Sequence, residues 1–414
     1  MFKIINLMIA LIIIAILSSC SHSPKAIENP NSSQQITLEL LSNKMETTET
    51  LEKIIAKFQE QNPTYVIEQD APPNMLKVLT MRFSTNTAPS LFMVYPSAPS
   101  IRHPIKNGYI EDLTGDLILS NVKPEFVEFS KTRGRNYAVP LALEGNGIIY
   151  NMDIFREQCL NIPQTYAELL ATSEKLKLSG KTPFIFPDKD HTYVRRVSTV
   201  LLGLDNPDII PYFEDVIAGK KHIIDSTPLV SMVNKTLELR EYGQKDSLGT
   251  SNEAAIREFA SGRVAMFFTG MWEINSIKKA NPTMEIAMFP FPAERMEDTK
   301  VATQVGTAIG IPKNSKTMME SKKFLSFLAS TEMAQLFSDE TGNISVIKGV
   351  QHHVKENKGI AEYALAGKLF RAADSPWTPT MQDDFGKSVQ QIIAGGGIDS
   401  FLKKMEELFY NMGN

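Results

Sequence analysis

The chain has 414 residues, about two to three times a typical domain length, with 43 basic against 47 acidic side chains and 43% hydrophobic residues. That apolar content suits packed globular lobes and is too rich for a disordered chain. A weakly acidic chain with no basic run is a poor neutraliser of phosphates, which argues against nucleic acid as a partner. No stretch reaches the ~20 apolar residues of a membrane span.

Lys3 precedes an apolar run from Leu7 to Leu17. Such a run covers only about half the hydrocarbon core, so residues 1–19 read as an export signal rather than a resident span. The following segment, 20–35, is polar and carries two prolines, so it reads as a flexible tether. Besides Cys20 the chain holds only Cys159. Cys159, at the end of an expected helix, reads as a small buried hydrophobe rather than a reactive thiol.

Ile36-Thr-Leu-Glu-Leu40 alternates as a strand does, and Leu51, Ile54, Ile55 and Phe58 mark one face of a helix that Asn62-Pro63 stops. A helix over 76–83 separates strands beginning at Tyr65 and Leu91. This β-α-β-α-β order predicts a mostly parallel sheet with helices on both faces. A second block of the same kind starts near Gly147, with a short strand at 148–150. Thr165-Tyr-Ala-Glu168 then has the spacing of a capping box. Strands at 264–268, 285–289 and 308–311 and helices at 320–337 and 401–409 complete the pattern. The sequence reads as two α/β lobes, with no short repeat of the kind a solenoid needs.

Enzyme signatures are absent: there is no phosphate-cradling Gly-x-x-x-x-Gly-Lys-Ser/Thr loop and no Gly-x-Ser-x-Gly elbow. His352-His353 point to different faces as sequence neighbours, which makes a poor metal clamp and a solvated surface pair. Asp188-Lys-Asp190 and Asp383-Asp384 read as surface acids, and Gly395-Gly-Gly397 as a loop. No catalytic residue, metal or cofactor is expected.

Several segments resemble one family. Phe58-Gln-Glu-Gln-Asn-Pro63, Gly108-Tyr-Ile-Glu-Asp-Leu113 and Arg135-Asn-Tyr-Ala-Val-Pro140 appear in order. Ile149-Tyr-Asn-Met-Asp-Ile-Phe155 and Pro163-Gln-Thr-Tyr-Ala-Glu-Leu169 follow. Phe259-Ala-Ser-Gly-Arg-Val-Ala-Met266 with Thr269-Gly-Met-Trp272 is the most specific block, and Phe289-Pro-Phe-Pro292 and Phe324-Leu-Ser-Phe-Leu328 come after it. Together, over about 36–350, they resemble the extracellular solute-binding proteins of ABC sugar importers, the family that includes maltose-binding protein. Leu17-Ser-Ser-Cys20 resembles a lipobox, which implies lipidation at Cys20 and anchoring outside the cell membrane, as in a Gram-positive lipoprotein.

The resemblance implies a two-lobed, periplasmic-binding-protein-like fold of type II, with a ligand cleft between lobes joined by crossing hinge strands. Lobe one would be 36–142 plus 302–345, and lobe two 146–300 plus 350–414. A carbohydrate would be the ligand, permease subunits of an ABC transporter the partners, and the protein a monomer. An anchored sugar sensor for a membrane kinase, or a binder of a polyamine or phosphate ester, are the alternatives. Aromatic rings suit the C–H faces of a sugar and polar side chains its hydroxyls. The expected ligand-binding set is therefore Ser42, Asn43, Tyr95, Ser97, Glu144, Asn146, Trp272, Gln304 and Trp377.

Overall fold

The computed structural model describes residues 35–413 except 73, 205, 207, 208, 225 and 376; the export segment and Cys20 lie outside the described residues. Strand β1 (Ile36–Leu41) buries Leu38, Leu40 and Leu41. Helix α1 (Thr48–Gln61) packs Leu51, Ile54, Ile55 and Phe58 inward, the i, i+3, i+4, i+7 stripe of a core-facing helix. β2 (Tyr65–Asp70), α2 (Met75–Ser84) and β3 (Leu91–Val94) follow, and all four residues of β3 are buried, as expected of a central strand covered on both faces.

β4 (Val139–Asn151) is a single strand of 13 residues. The expected short strand at 148–150 is only its second half; the first half, with its run of small and apolar residues, gave no alternation to read. After α3 (Tyr166–Leu178), β5 (Thr182–Ile185), α4 (His191–Leu204) and α5 (Thr227–Arg240) the chain enters β6 (Val264–Gly270). Then come α6 (Glu273–Ala280), β7 (Ile286–Phe289) and β8 (Val301–Gly310). The expected helix 320–337 is two, α7 (Met318–Leu328) and α8 (Thr331–Thr341). Ser330 caps the second by accepting from the Met333 N–H at 3.4 Å, and Gly342, at a left-handed φ of 74°, ends it. β9 (Ile344–Ser345), α9 (Lys358–Leu365), β10 (Leu369–Arg371), α10 (Pro379–Ile393) and α11 (Ile398–Gly413) complete the chain.

The strands follow the order β2-β1-β3-β8-β4-β6-β5. β1, β2 and β3 are parallel, as the βαβ pattern requires, but β8 runs antiparallel to β3, and β4 antiparallel to β8. The expected mostly parallel sheet is therefore mixed. Up to Gly145, β4 pairs with β8, from Val139↔Ile309 to Gly145↔Thr303. From Asn146 it pairs instead with β6 (Asn146↔Gly270) and, from Ile148, with β7. One strand thus passes from one set of partners to another, and the exchange falls between Gly145 and Asn146.

Three sequence expectations are corrected. Cys159 is exposed and holds a left-handed φ of 49°, so it ends a helical turn instead of filling a core. Asp188 is fully buried and receives the Arg240 guanidinium at 2.7 Å, so it is no surface acid. Of the histidine pair only His353 is exposed; His352 is half-buried and bonded to Asn357 at 2.6 Å.

Candidate functional site

Paired residues on neighbouring strands share a face of the sheet, and residues two apart on one strand share it too. Glu144↔Gln304 and Asn146↔Gly270 therefore put Glu144, Asn146, Gln304, Gly306 and Gly270 on one face at the exchange of ladders. The two glycines leave room there. A Cβ on Gly306 would lie 2.3 Å from the Glu144 side chain, and one on Gly270 2.0 Å from the Trp272 ring. Trp272 thus folds back over Gly270 at the start of α6, beside Asn146. Gly145, Thr303 and Val301 point to the other face, where Ile360 of α9 covers them.

The loop after β1 reaches the same place. Lys44 is 2% exposed and its ammonium ion-pairs with Glu144, 5% exposed. Burial pulls the Lys44 ammonium down, but Glu144, Tyr95 and Glu46 together outweigh it, and the net shift is upward. The Tyr95 ring centroid lies 6.0 Å from Lys44 Nζ, and the Asn43 amide hydrogen-bonds to the Tyr95 phenol. Burial, reinforced by Glu144, raises the Tyr95 phenol above its ordinary range. Asn43, Tyr95, Glu144, Asn146, Trp272 and Gln304 are thereby gathered from five separate stretches of chain.

Three expected residues behave otherwise. Ser42 is fully buried: its Oγ accepts from the Lys44 N–H at 3.1 Å and lies 3.1 Å from Met93 Sδ, so it shapes the loop from beneath. Ser97 is half-buried in the turn closed by Ala98 N–H on Tyr95 O at 3.0 Å, and its hydroxyl has no hydrogen-bond partner among the described residues. Trp377 is corrected outright. It is fully buried, with ring centroids of Phe385 at 5.0 Å, Phe213 at 5.1 Å and Phe409 at 5.4 Å, so it anchors the core under α10 and α11 and offers no face to a ligand.

Lys44 and Arg196 escaped the sequence reading. A lysine in a loop normally signals a solvated surface, and the partner that keeps Lys44 inside stands a hundred positions away. Arg196 lies in α4 with its guanidinium carbon 4.8 Å from the Trp272 ring centroid. Grooves of about 550 Å³ (near Met271, Asp339 and His353) and 410 Å³ (near Tyr150, Phe289 and Tyr363) open elsewhere; neither contains Glu144, Asn146, Trp272 or Gln304. Among the described residues no cluster of His, Cys, Asp and Glu could hold a metal.

Known proteins share the sequence pattern and the fold. Residues 53–365 match the family described as bacterial extracellular solute-binding protein. The multiple sugar-binding protein of Streptococcus mutans is 26% identical over 89% of this chain and 88% of its own length. The melibiose/raffinose/stachyose-binding protein MelE of Bacillus subtilis is 22% identical over 82% and 80%. Among solved structures, RafE in complex with raffinose superposes with a TM-score of 0.81 at 24% identity, covering 92% of this chain and all of that one. The apo form of RafE from Streptococcus pneumoniae superposes at 0.79, with 23% identity over 92% and 99%. The fold is the two-lobed type II architecture that the resemblance implied, with crossing strands beside the ligand cleft. Its family consists of substrate-binding transport proteins, not enzymes. The chain belongs to the bacterial extracellular solute-binding proteins.

Proposed function

We propose that this protein captures a sugar or oligosaccharide outside the cell and hands it to the permease of an ABC transporter. The observation that carries the reading is the single sheet face where Glu144, Asn146 and Gln304 stand beside the Trp272 ring. Polar groups that reach paired hydroxyls, next to an aromatic ring that covers a C–H patch, form the pairing a sugar needs. The multiple sugar-binding protein, MelE and raffinose-bound RafE agree with it.

Capture would work by closure. In this reading lobe one comprises 36–142 plus 302–345, lobe two 146–300 plus 350–414, and β4 and β8 cross between them. The exchange of β4 partners between Gly145 and Asn146 supports that division. Two contacts would then bridge the lobes: Arg371 donates to the Phe129 carbonyl, and Arg102 Nη2 to the Ser375 carbonyl at 3.0 Å. A sugar touching both sides only when they meet would shift the balance toward the closed form by its differential affinity. Tethering through a lipid on Cys20 would keep the monomeric carrier beside its permease.

A thermal-shift screen against raffinose, stachyose, maltooligosaccharides and monosaccharides tests the proposal. A sugar at a hundred times its Kd adds about 2.7 kcal/mol to the native state. Trp272→Ala should weaken its binding at least tenfold with folding retained. A protein that no saccharide stabilises, or one that hydrolyses the sugar it binds, would overturn it.

A further inference from the structure

Three arginines in neighbouring helices are largely shielded from water, and the chain treats them differently. Arg195 pairs with the buried carboxylate of Asp374, and Arg240 with that of Asp188 at 2.7 Å. Arg196, also in α4, has no ion pair and no guanidinium hydrogen bond among the described residues, and its Nε is shut off from water without a partner. Two rings hold it instead: Trp272 at 4.8 Å and Tyr193 at 5.7 Å from the guanidinium carbon. The nearby Glu273 carboxylate is occupied by Asn252 Nδ2 at 2.9 Å, and Asp190 Oδ1 accepts the Thr192 N–H at 2.8 Å. Arg195, its like-charged neighbour, adds nothing to hold it.

A guanidinium withdrawn from water costs free energy unless oxygens replace its hydration. Stacking on a ring returns part of that cost, ~2 kcal/mol for a desolvated pair, and leaves the in-plane donors free. Arg196 keeps part of its surface accessible, and its ring partner Trp272 stands on the face with Asn146 and Gly270. We propose that Arg196 is a ligand-binding residue, its donor fork receiving a pair of oxygens from the sugar ring that lies at Trp272. The pair is two adjacent hydroxyls or the carboxylate of an acidic sugar, both of which match the planar fork. This rests on the sugar-binding reading above and extends it by naming the donor that selects the ring.

The test is calorimetric titration of wild type, Arg196→Met and Arg196→Lys with raffinose and with a galacturonate trisaccharide, alongside the thermal midpoint of each ligand-free protein. Arg196→Met should bind at least tenfold more weakly while its ligand-free midpoint stays level or rises, because an uncompensated charge has been removed. Arg196→Lys, which keeps the charge without the fork, should not restore binding. Whichever saccharide the wild type prefers identifies the oxygen pair as hydroxyls or carboxylate. Unchanged affinity in Arg196→Met, full rescue by lysine, or a drop in ligand-free midpoint that parallels the affinity loss would each overturn the assignment, the last by making Arg196 a prop for Trp272. A wild type that binds neither these nor any other saccharide would instead remove the sugar reading, and this inference with it.

Discussion

Glu144→Gln isolates the energetics of the site. The substitution keeps the shape of the side chain and leaves the Lys44 ammonium, 2% exposed, without its carboxylate. Breaking one side of a buried pair costs ~3–5 kcal/mol, because the surviving charge is stranded. Glu46 offers no relief: its carboxylate is 3.6 Å from Lys44 Nζ but 45% exposed, and such solvated partners contribute only ~0–1 kcal/mol. Lys44→Met strands Glu144 in the same way. The double variant Lys44→Met/Glu144→Gln strands no charge, only an amide without its partner, so it should recover most of the loss and lie within ~1–3 kcal/mol of wild type. Urea denaturation of the four proteins gives the coupling free energy directly. If Glu144→Gln costs less than ~1 kcal/mol, or if the double variant loses the sum of the singles, the pair is not the buried, mutually dependent unit described above.

The same pair sets a pH dependence. Its lysine titrates above 10.5 in the folded protein, so its stabilisation is complete below about 10.5 and is lost as pH rises through the raised value; wild type should lose stability faster than the double variant in that alkaline window. Trp377→Ala should cost ~3–5 kcal/mol of stability, read by thermal denaturation, with sugar affinity unchanged for the fraction that stays folded. A loss of affinity without loss of stability would return Trp377 to the cleft. Gly270→Ala puts a methyl 2.0 Å from the Trp272 ring and must displace it; at least tenfold weaker sugar binding is expected by calorimetry, and unaltered binding would detach that ring from the ligand.

Much of the fold was legible because its signals are local. The alternation in β1, the stripe on α1 and the Thr165 cap, which accepts from the Glu168 N–H at 3.2 Å, depend on residues within a turn of each other. The first half of β4 was not legible, since a strand buried on both faces has no alternation to betray it. Nor was the division of 318–341 into two helices, because the Ser330 cap sits inside a continuous apolar stripe. At the site, Glu144, Asn146, Gln304 and Trp272 could be singled out as polar or aromatic residues near a crossing, while Lys44 and Arg196 could not. Whether a charge is buried depends on partners remote in sequence, and Trp377 misled for the same reason: two flanking prolines suggest a loop, yet Phe213, Phe385 and Phe409 close over its ring.

The shared strand has a mechanical consequence. If the proposed lobes turn about β4 and β8, Glu144, Asn146 and Gln304 stand on the pivot, where rotation displaces atoms least. Trp272, the residue before α6, and Arg196, in α4, would be carried by the arm that turns. Substitutions at the pivot would then tune how firmly a guest is held without altering how far the jaws swing, whereas changes on the outer arm would alter both together.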